Sequence, residues 1–367
     1  MAIQSMEILR GSLPLVTPFV TSYGTETGRR FLLLHVIGDD GDGWGECVAL
    51  AEPLYSSEYI DGADDVIRRF LLPLVSRETT VADFVQKSSA IKGHQMAKAA
   101  VESALLDYEL RKEEKSLSQY LGAERTQVPA GVSVGMYPTL DDLVRVVGDY
   151  VTEGYQRIKI KIDKGFDIEP VRALRTAFGN ELPLQVDANS AYTLDDAKHL
   201  SQLDEFGLLL IEQPFAEDDL VSHIELGRIL QTPVCLDESV TSAQVARTVI
   251  EMGACSVVNV KPGRVGGIIE AKKIHDYCFT HDVPLWCGGM FETGIGRAVN
   301  LAFAALPGCT LVGDLSPTHR YFHDDIAEPV VMHDGFIDVP HGLGIGVTPT
   351  PGLLQKFTTT LDVIQIK

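Results

Sequence analysis

The sequence has no CxxC pair. Its six cysteines (Cys47, Cys235, Cys255, Cys278, Cys287 and Cys309) are scattered, and most stand in apolar runs. They read as buried free thiols of a reducing compartment. No stretch approaches about 18 apolar residues, the length of a membrane-spanning helix. The opening MAIQSMEILRGSL lacks a basic region followed by a long apolar one, so no targeting segment is expected. Positive charge is also short: 31 Lys and Arg stand against 51 Asp and Glu, a net charge of −20. Nucleic acid and anionic membrane surfaces both reward a basic face, so neither is expected as a partner. Low-complexity segments and long linkers are missing too. What remains is a cytoplasmic protein of enzyme size.

Its 367 residues, 45% hydrophobic and 22% charged, suit about two domains. Short apolar runs recur at VSVG (132–135), IKIKI (158–162), LQVDA (184–188), LLIEQ (209–213), VCLDE (234–238), VVNVK (257–261), PLWCG (284–288) and TLVGD (310–314). Their starts are 23 to 27 residues apart. Amphipathic segments such as DDLVRVVGDYV, EPVRALRTAF, SAQVARTVIEMG and EAKKIHDYCFTH lie between them. TLDD occurs at 139–142 and again at 193–196, a Thr N-cap with an acidic residue three later. Pro170 suits a first helical turn. Eight strands alternating with about seven helices predict an α/β fold built as a parallel βα barrel, with a doubly wound sheet as the alternative. Residues 1–125 read differently, as an α+β domain. It has β-like runs at 6–20 and 30–37, a turn region GDDGDGWGE, and helices around 59–76 and 94–112. The barrel is placed at 126–340, and residues 341–367 are expected to return to the first domain.

Barrels of this kind keep their chemistry at the C-terminal ends of the strands. Charged residues stand there in sequence: Lys161, Asp187, Glu212, Asp237 and Lys261, each 24 to 26 residues after the last. Alternation in a strand puts Lys159 and Lys161 on one face and Ile158, Ile160 and Ile162 on the other. The neighbouring strands share this parity, so both lysines are expected to point into the barrel. Three carboxylates on adjacent strands repel unless a cation holds them. All-oxygen donors ask for a hard cation, Mg²⁺ first and Mn²⁺ next. Two lysines flanking it suggest acid/base work, because a divalent cation and a second ammonium nearby are expected to lower a lysine's pKa toward the operating pH. A carboxylate substrate follows. The metal takes its carboxyl oxygens, a lysine removes the α-proton, and Lys159 helps stabilise the enediolate. Reprotonation by the opposite lysine gives racemisation. A lysine that stays cationic while a β-group leaves gives dehydration.

With these residues in place the chain resembles the enolase superfamily and its muconate-lactonizing-enzyme subgroup. The resemblance rests on Lys159-Ile160-Lys161, Asp187 in VDAN, Glu212 in IEQP, Asp237 in LDES and Lys261 in NVKPGRVGG. More narrowly, PLYSSEY (53–59), IKIKIDKG, NVKPGRVGG and WCGGMFETGIGRA (286–298) look like the o-succinylbenzoate synthase / N-succinylamino acid racemase family. This implies a (β/α)7β modified TIM barrel with one Mg²⁺, covered by loops of an N-terminal capping domain. It places Phe19 and Tyr23 in a first capping loop and Leu50 and Tyr55 in a second. Ser133, Asn189, Gly289 and Met290 would contact the substrate's carboxylate or succinyl end. The implied activities are syn-dehydration to o-succinylbenzoate in menaquinone synthesis, racemisation of N-succinylamino acids, or both. Muconate-type cycloisomerisation and dipeptide epimerisation are the alternatives. Asp314-Leu315-Ser316 lacks the DxD pair of dipeptide epimerases, and Lys261 stands where mandelate racemase and acid-sugar dehydratases use a His–Asp pair. Arg264 could either tune Lys261 or be a surface arginine on its loop. A homo-oligomer is expected, of a size that nothing in the chain selects.

Overall fold

The computed structural model describes residues 2–367. Two long strands open the chain, β1 (Ile3–Thr21) and β2 (Gly24–Gly38), followed by β3 (Gly41–Cys47). The GDDGDGWGE stretch, expected as a turn region, turns only at 39–40. From there it pairs with β2 in register from Gly38↔Gly41 to Leu32↔Cys47. Gly43 and Gly45 belong there because of packing. A Cβ on either would lie 2.4 Å from Ala104 O or 2.2 Å from Ala100 O, in the backbone of helix Gln95–Lys112. Glycines that looked like turn residues therefore let a helix lie directly on a strand. The expected helix at 59–76 begins at Ile60–Val66 and runs on as a π turn and a short 3₁₀ turn to Leu74.

A short strand β4 (Gln127–Pro129) leads into the barrel. Its strands are β5 (Gly131–Val134), β6 (Arg157–Lys161), β7 (Leu184–Asp187), β8 (Ile211–Glu212), β9 (Val234–Leu236), β10 (Val257–Val260) and β11 (Leu285–Cys287), all parallel. They pair in chain order as a seven-stranded sheet. The eighth run, TLVGD, forms no continuous ladder. It follows β11 through Leu311 N to Leu285 O (3.3 Å) and Asp314 N to Cys287 O (2.9 Å). Side chains complete the circle: Arg157 Nη2 donates to Val312 O (3.0 Å) and Ser316 Oγ to Gly131 O (2.9 Å).

Helices Leu140–Glu153, Ile168–Phe178, Ala243–Glu251 and Ile268–Thr280 occupy the amphipathic segments. Thr139 caps the first, its side chain accepting from Asp142 N at 3.1 Å, and Thr193 makes the matching capping box. Strands β12 (Met332–His333) and β13 (Phe336–Asp338) join β4 in a small sheet. The chain ends in β14 (Thr358–Gln365), antiparallel to β1, so the N-terminal sheet has the order β14-β1-β2-β3.

Candidate active site

The strands set their inward residues in layers. The lower layer is apolar: Leu210, Cys235, Val257 and Trp286 form one buried cluster. Above it lies a layer of charge. Lys159 is fully buried, its Nζ 4.8 Å from the centre of the Trp286 ring. It stands 2.8 Å from Glu212 Oε2, 3.1 Å from Asp187 Oδ2 and 2.5 Å from Asp314 Oδ2. Both lysines of the KxK run therefore face inward, as the alternation predicts. Lys161 Nζ donates to Asp187 Oδ2 (2.6 Å) and Asn189 Oδ1 (2.5 Å). Lys261 Nζ donates to Asp237 Oδ2 (2.7 Å).

A pocket of about 650 Å³ opens over this layer, and Lys159, Lys161 and Lys261 reach its wall. Ser133 and Asn189 line it from the ends of β5 and β7, and Gly289 and Met290 from the loop after β11. Phe19, Tyr23, Leu50 and Tyr55 close it from the N-terminal domain. Asp187, Glu212 and Asp237 lie just beneath, bonded to the lysines. Tyr55 does more than pack between domains: its hydroxyl donates to Asp237 Oδ2 (3.0 Å) and accepts from Lys261 (2.8 Å). Ser133 Oγ is buried and has no hydrogen-bond partner. Gly288 is required by crowding, since a Cβ there would meet Asn259 Oδ1 at 2.4 Å and Lys261 Cε at 2.7 Å.

Four contributors were not legible as site residues. Asp314 pairs with both Lys159 and Arg157 (2.8 Å), and Glu238 accepts from Asn189 Nδ2 (2.9 Å) beside Asp237. Asn259 Nδ2 donates to Glu212 Oε1 (2.7 Å). Glu292 lines the pocket two residues beyond Met290. The in-register position of Asp314 at the end of the eighth run and the parity of Asn259 with Lys261 were the available signals. Arg264 is no surface residue. It is 4% exposed, with Nη2 3.1 Å from Asp237 Oδ1.

Among the protein's own groups, charge rather than burial decides the two lysines Lys159 and Lys261. Burial alone would lower the lysines, but Asp237, Glu238 and Glu212 outweigh it at Lys261, and Asp314, Glu212 and Asp187 do so at Lys159. Both ammoniums are held above the ordinary lysine value, because each lysine has more carboxylates than cations around it. Glu212 is pushed up to about 8 by burial and by Asp187. Burial and Asp237 likewise raise Glu238 well above the carboxylate range. Asp187 is held well below it, because Lys161 and Lys159 overcome the cost of burial. Among the described residues no three of these carboxylates stand close enough together to grip a metal as they are, the ammoniums being lodged among them.

The whole chain is similar to known proteins. Residues 4–122 match the mandelate racemase / muconate lactonizing enzyme N-terminal domain, and residues 142–352 the enolase C-terminal domain-like family. An N-succinylamino acid racemase of Amycolatopsis is 53% identical over 361 residues, covering 98% of each chain. An o-succinylbenzoate synthase of Bacillus subtilis is 44% identical over 365 residues, again covering 98% of each. A solved enolase superfamily structure from Listeria innocua superposes with a TM-score of 0.96 at 37% identity, covering 100% of both chains. Pocket, charged layer and whole-length similarity agree: this chain is an enzyme of the o-succinylbenzoate synthase / N-succinylamino acid racemase family, in the muconate-lactonizing-enzyme subgroup of the enolase superfamily.

Proposed function

We propose that this enzyme removes the α-proton of a carboxylate substrate, racemising N-succinylamino acids, forming o-succinylbenzoate by syn-dehydration, or both. The observation that carries the reading is the placing of Lys161 and Lys261. They stand at the ends of β6 and β10, four strands apart in a closed barrel, so they reach one pocket from opposite sides. In racemisation Lys161 Nζ takes the proton from one face of Cα and Lys261 Nζ serves the other. In dehydration Lys161 is the base and Lys261 stays cationic. Lys159 Nζ keeps a fixed positive charge beside the substrate carboxylate, where negative charge develops. Ser133 Oγ, unpaired within the protein, is free to bond the substrate, and the capping loops exclude water.

The donor set fits a hard cation. Asp187, Glu212 and Asp237 offer oxygens at adjacent strand ends, and beside them the buried Glu238 Oε2 accepts no hydrogen bond. Asp187, Glu212 and Asp237 would hold Mg²⁺ or Mn²⁺, which would supply Lewis-acid polarisation of the substrate carboxylate.

The test is proton NMR in D₂O with Mg²⁺ and N-succinyl-L-phenylalanine, with optical rotation followed in parallel. Loss of the α-proton signal with decay of rotation is expected of a two-base racemase. Exchange without decay of rotation would leave one working base and assign the enzyme to dehydration. No exchange, with no Mg²⁺ binding, would overturn the reading.

A further inference from the structure

The two lysines that face each other across the pocket are not held alike. Both partners of Lys161 belong to the barrel: Asp187 on β7 and Asn189 two residues on. Lys261 is held half by the barrel and half by the N-terminal domain. Its Nζ donates to Asp237 Oδ2 (2.7 Å) and to the Tyr55 hydroxyl (2.8 Å), and that hydroxyl donates to the same Asp237 oxygen (3.0 Å). The three groups form a closed ring of hydrogen bonds. The Tyr55 ring also lies beneath the ammonium, its centre 4.5 Å away. Tyr55 sits on the loop between Leu50 and Tyr59, whose ends are bridged, and it is 7% exposed. Tyr23 of the other capping loop rests against it, ring centres 6.2 Å apart.

We infer that Tyr55 is a positioning residue for Lys261. Closure of the second capping loop brings a hydroxyl that fixes one of the two acid/base groups and leaves the other untouched. Lys261 is a flexible four-carbon chain, and Asp237 alone fixes its distance but not its direction. The Tyr55 hydroxyl supplies the second anchor. The two faces of the substrate therefore depend differently on the cap: chemistry at Lys261 requires the closed loop, and chemistry at Lys161 does not.

This inference rests on the proposed function, and the experiment separates the two. Tyr55→Phe removes one oxygen and keeps the ring, so the fold and the ring-to-ammonium contact persist. α-Proton exchange in D₂O with Mg²⁺ is measured separately on N-succinyl-L-phenylalanine and its D-enantiomer. One enantiomer is expected to lose about tenfold or more in exchange rate, the size of a hydrogen bond to a charged group. The other is expected to change by less than about twofold. Equal loss from both enantiomers would show a general loosening of the cap and overturn the inference. A second readout needs no turnover. Lysines are labelled briefly with acetic anhydride and quantified by peptide mass, with Lys161 and Lys159 as internal references. Tyr55→Phe is expected to raise labelling of Lys261 several-fold over both references. A parallel rise at all three lysines, or none at Lys261, would overturn the inference even if the enzyme proves inactive on succinylamino acids.

Discussion

Arg264 is the residue at which the two proposed reactions are expected to part. Its guanidinium lies 3.1 Å from Asp237 Oδ1, while Lys261 holds Oδ2 at 2.7 Å. The two cations share one carboxylate, and each relieves the other's pull on it. With glutamine at 264, Asp237 acts on Lys261 alone and holds its proton harder. The proposed dehydration, in which Lys261 only needs to stay cationic, is expected to tolerate that. The proposed racemisation, in which Lys261 must give and take the proton, is not. Arg264→Gln is therefore expected to lower racemisation at least about tenfold more than dehydration, read as the ratio of the two kcat/KM values. Equal losses would mean that Arg264 serves packing alone. The sequence placed Arg264 three residues past Lys261 but could not choose between a surface and a buried arginine, because loop geometry sets its direction.

At the scale of elements, buried carboxylates from one element cap helices of another. Glu102, on helix Gln95–Lys112, accepts from Ile269 N at 3.1 Å, at the start of barrel helix Ile268–Thr280. Gly267 makes room for it, since a Cβ there would fall 2.2 Å from Glu102 Oε1. Burial pushes Glu102 up to about 8 despite these backbone donors. An unfolded glutamate titrates near 4.3. Between those values the folded chain keeps a proton that the unfolded chain has released, so stability falls as pH rises from about 4.3 through about 8. Glu102→Gln cannot ionise. Its melting temperature is expected to gain on the parent's steadily as pH rises from 5 to 8, seen by calorimetry across that range. A constant offset between the two curves would rule this out. Glu46 plays the same part across the domains, accepting from Thr293 Oγ1 (2.7 Å) and Gly296 N (3.0 Å) at the start of the helix after the Gly289–Met290 loop. Neither carboxylate was readable as a cap in the sequence. Local signatures find caps within a few residues, as at Thr139 and Thr193, and these donors lie 167 or more positions away.

At the scale of the molecule, the charged layer joins everything: barrel strands supply it and the N-terminal domain covers it. Five carboxylates (Asp187, Glu212, Asp237, Glu238 and Asp314) stand among Lys159, Lys161, Lys261, Arg157 and Arg264, all at most 9% exposed at the side chain or fully buried. Such a layer is costly, and a ligand that binds only the folded state offsets the cost by mass action. Mg²⁺ at a hundred times its dissociation constant is expected to stabilise the fold by about 2.7 kcal/mol, visible as a rise in melting temperature. Asp237→Asn is expected to abolish most of that rise while leaving a cooperative transition. An unchanged Mg²⁺ response in the variant would place the cation elsewhere. Among the described residues no helix is long and apolar enough to cross a membrane.

The sequence by itself determined the spacing of the barrel strands, the facing of Lys159 and Lys161, and the row Lys161, Asp187, Glu212, Asp237 and Lys261. Each follows from a period: about 25 residues per βα unit and two residues per strand repeat. Other features came only from the tertiary structure. The eighth run closes the barrel through Arg157 and Ser316 rather than by its own ladder. Gly43 and Gly45 are strand residues under a helix, not turn residues. Asp314 and Glu238 join the charged layer, Arg264 turns inward, and Tyr55 reaches from another domain to Lys261. These depend on contacts between residues far apart in the chain, and no local period carries that information.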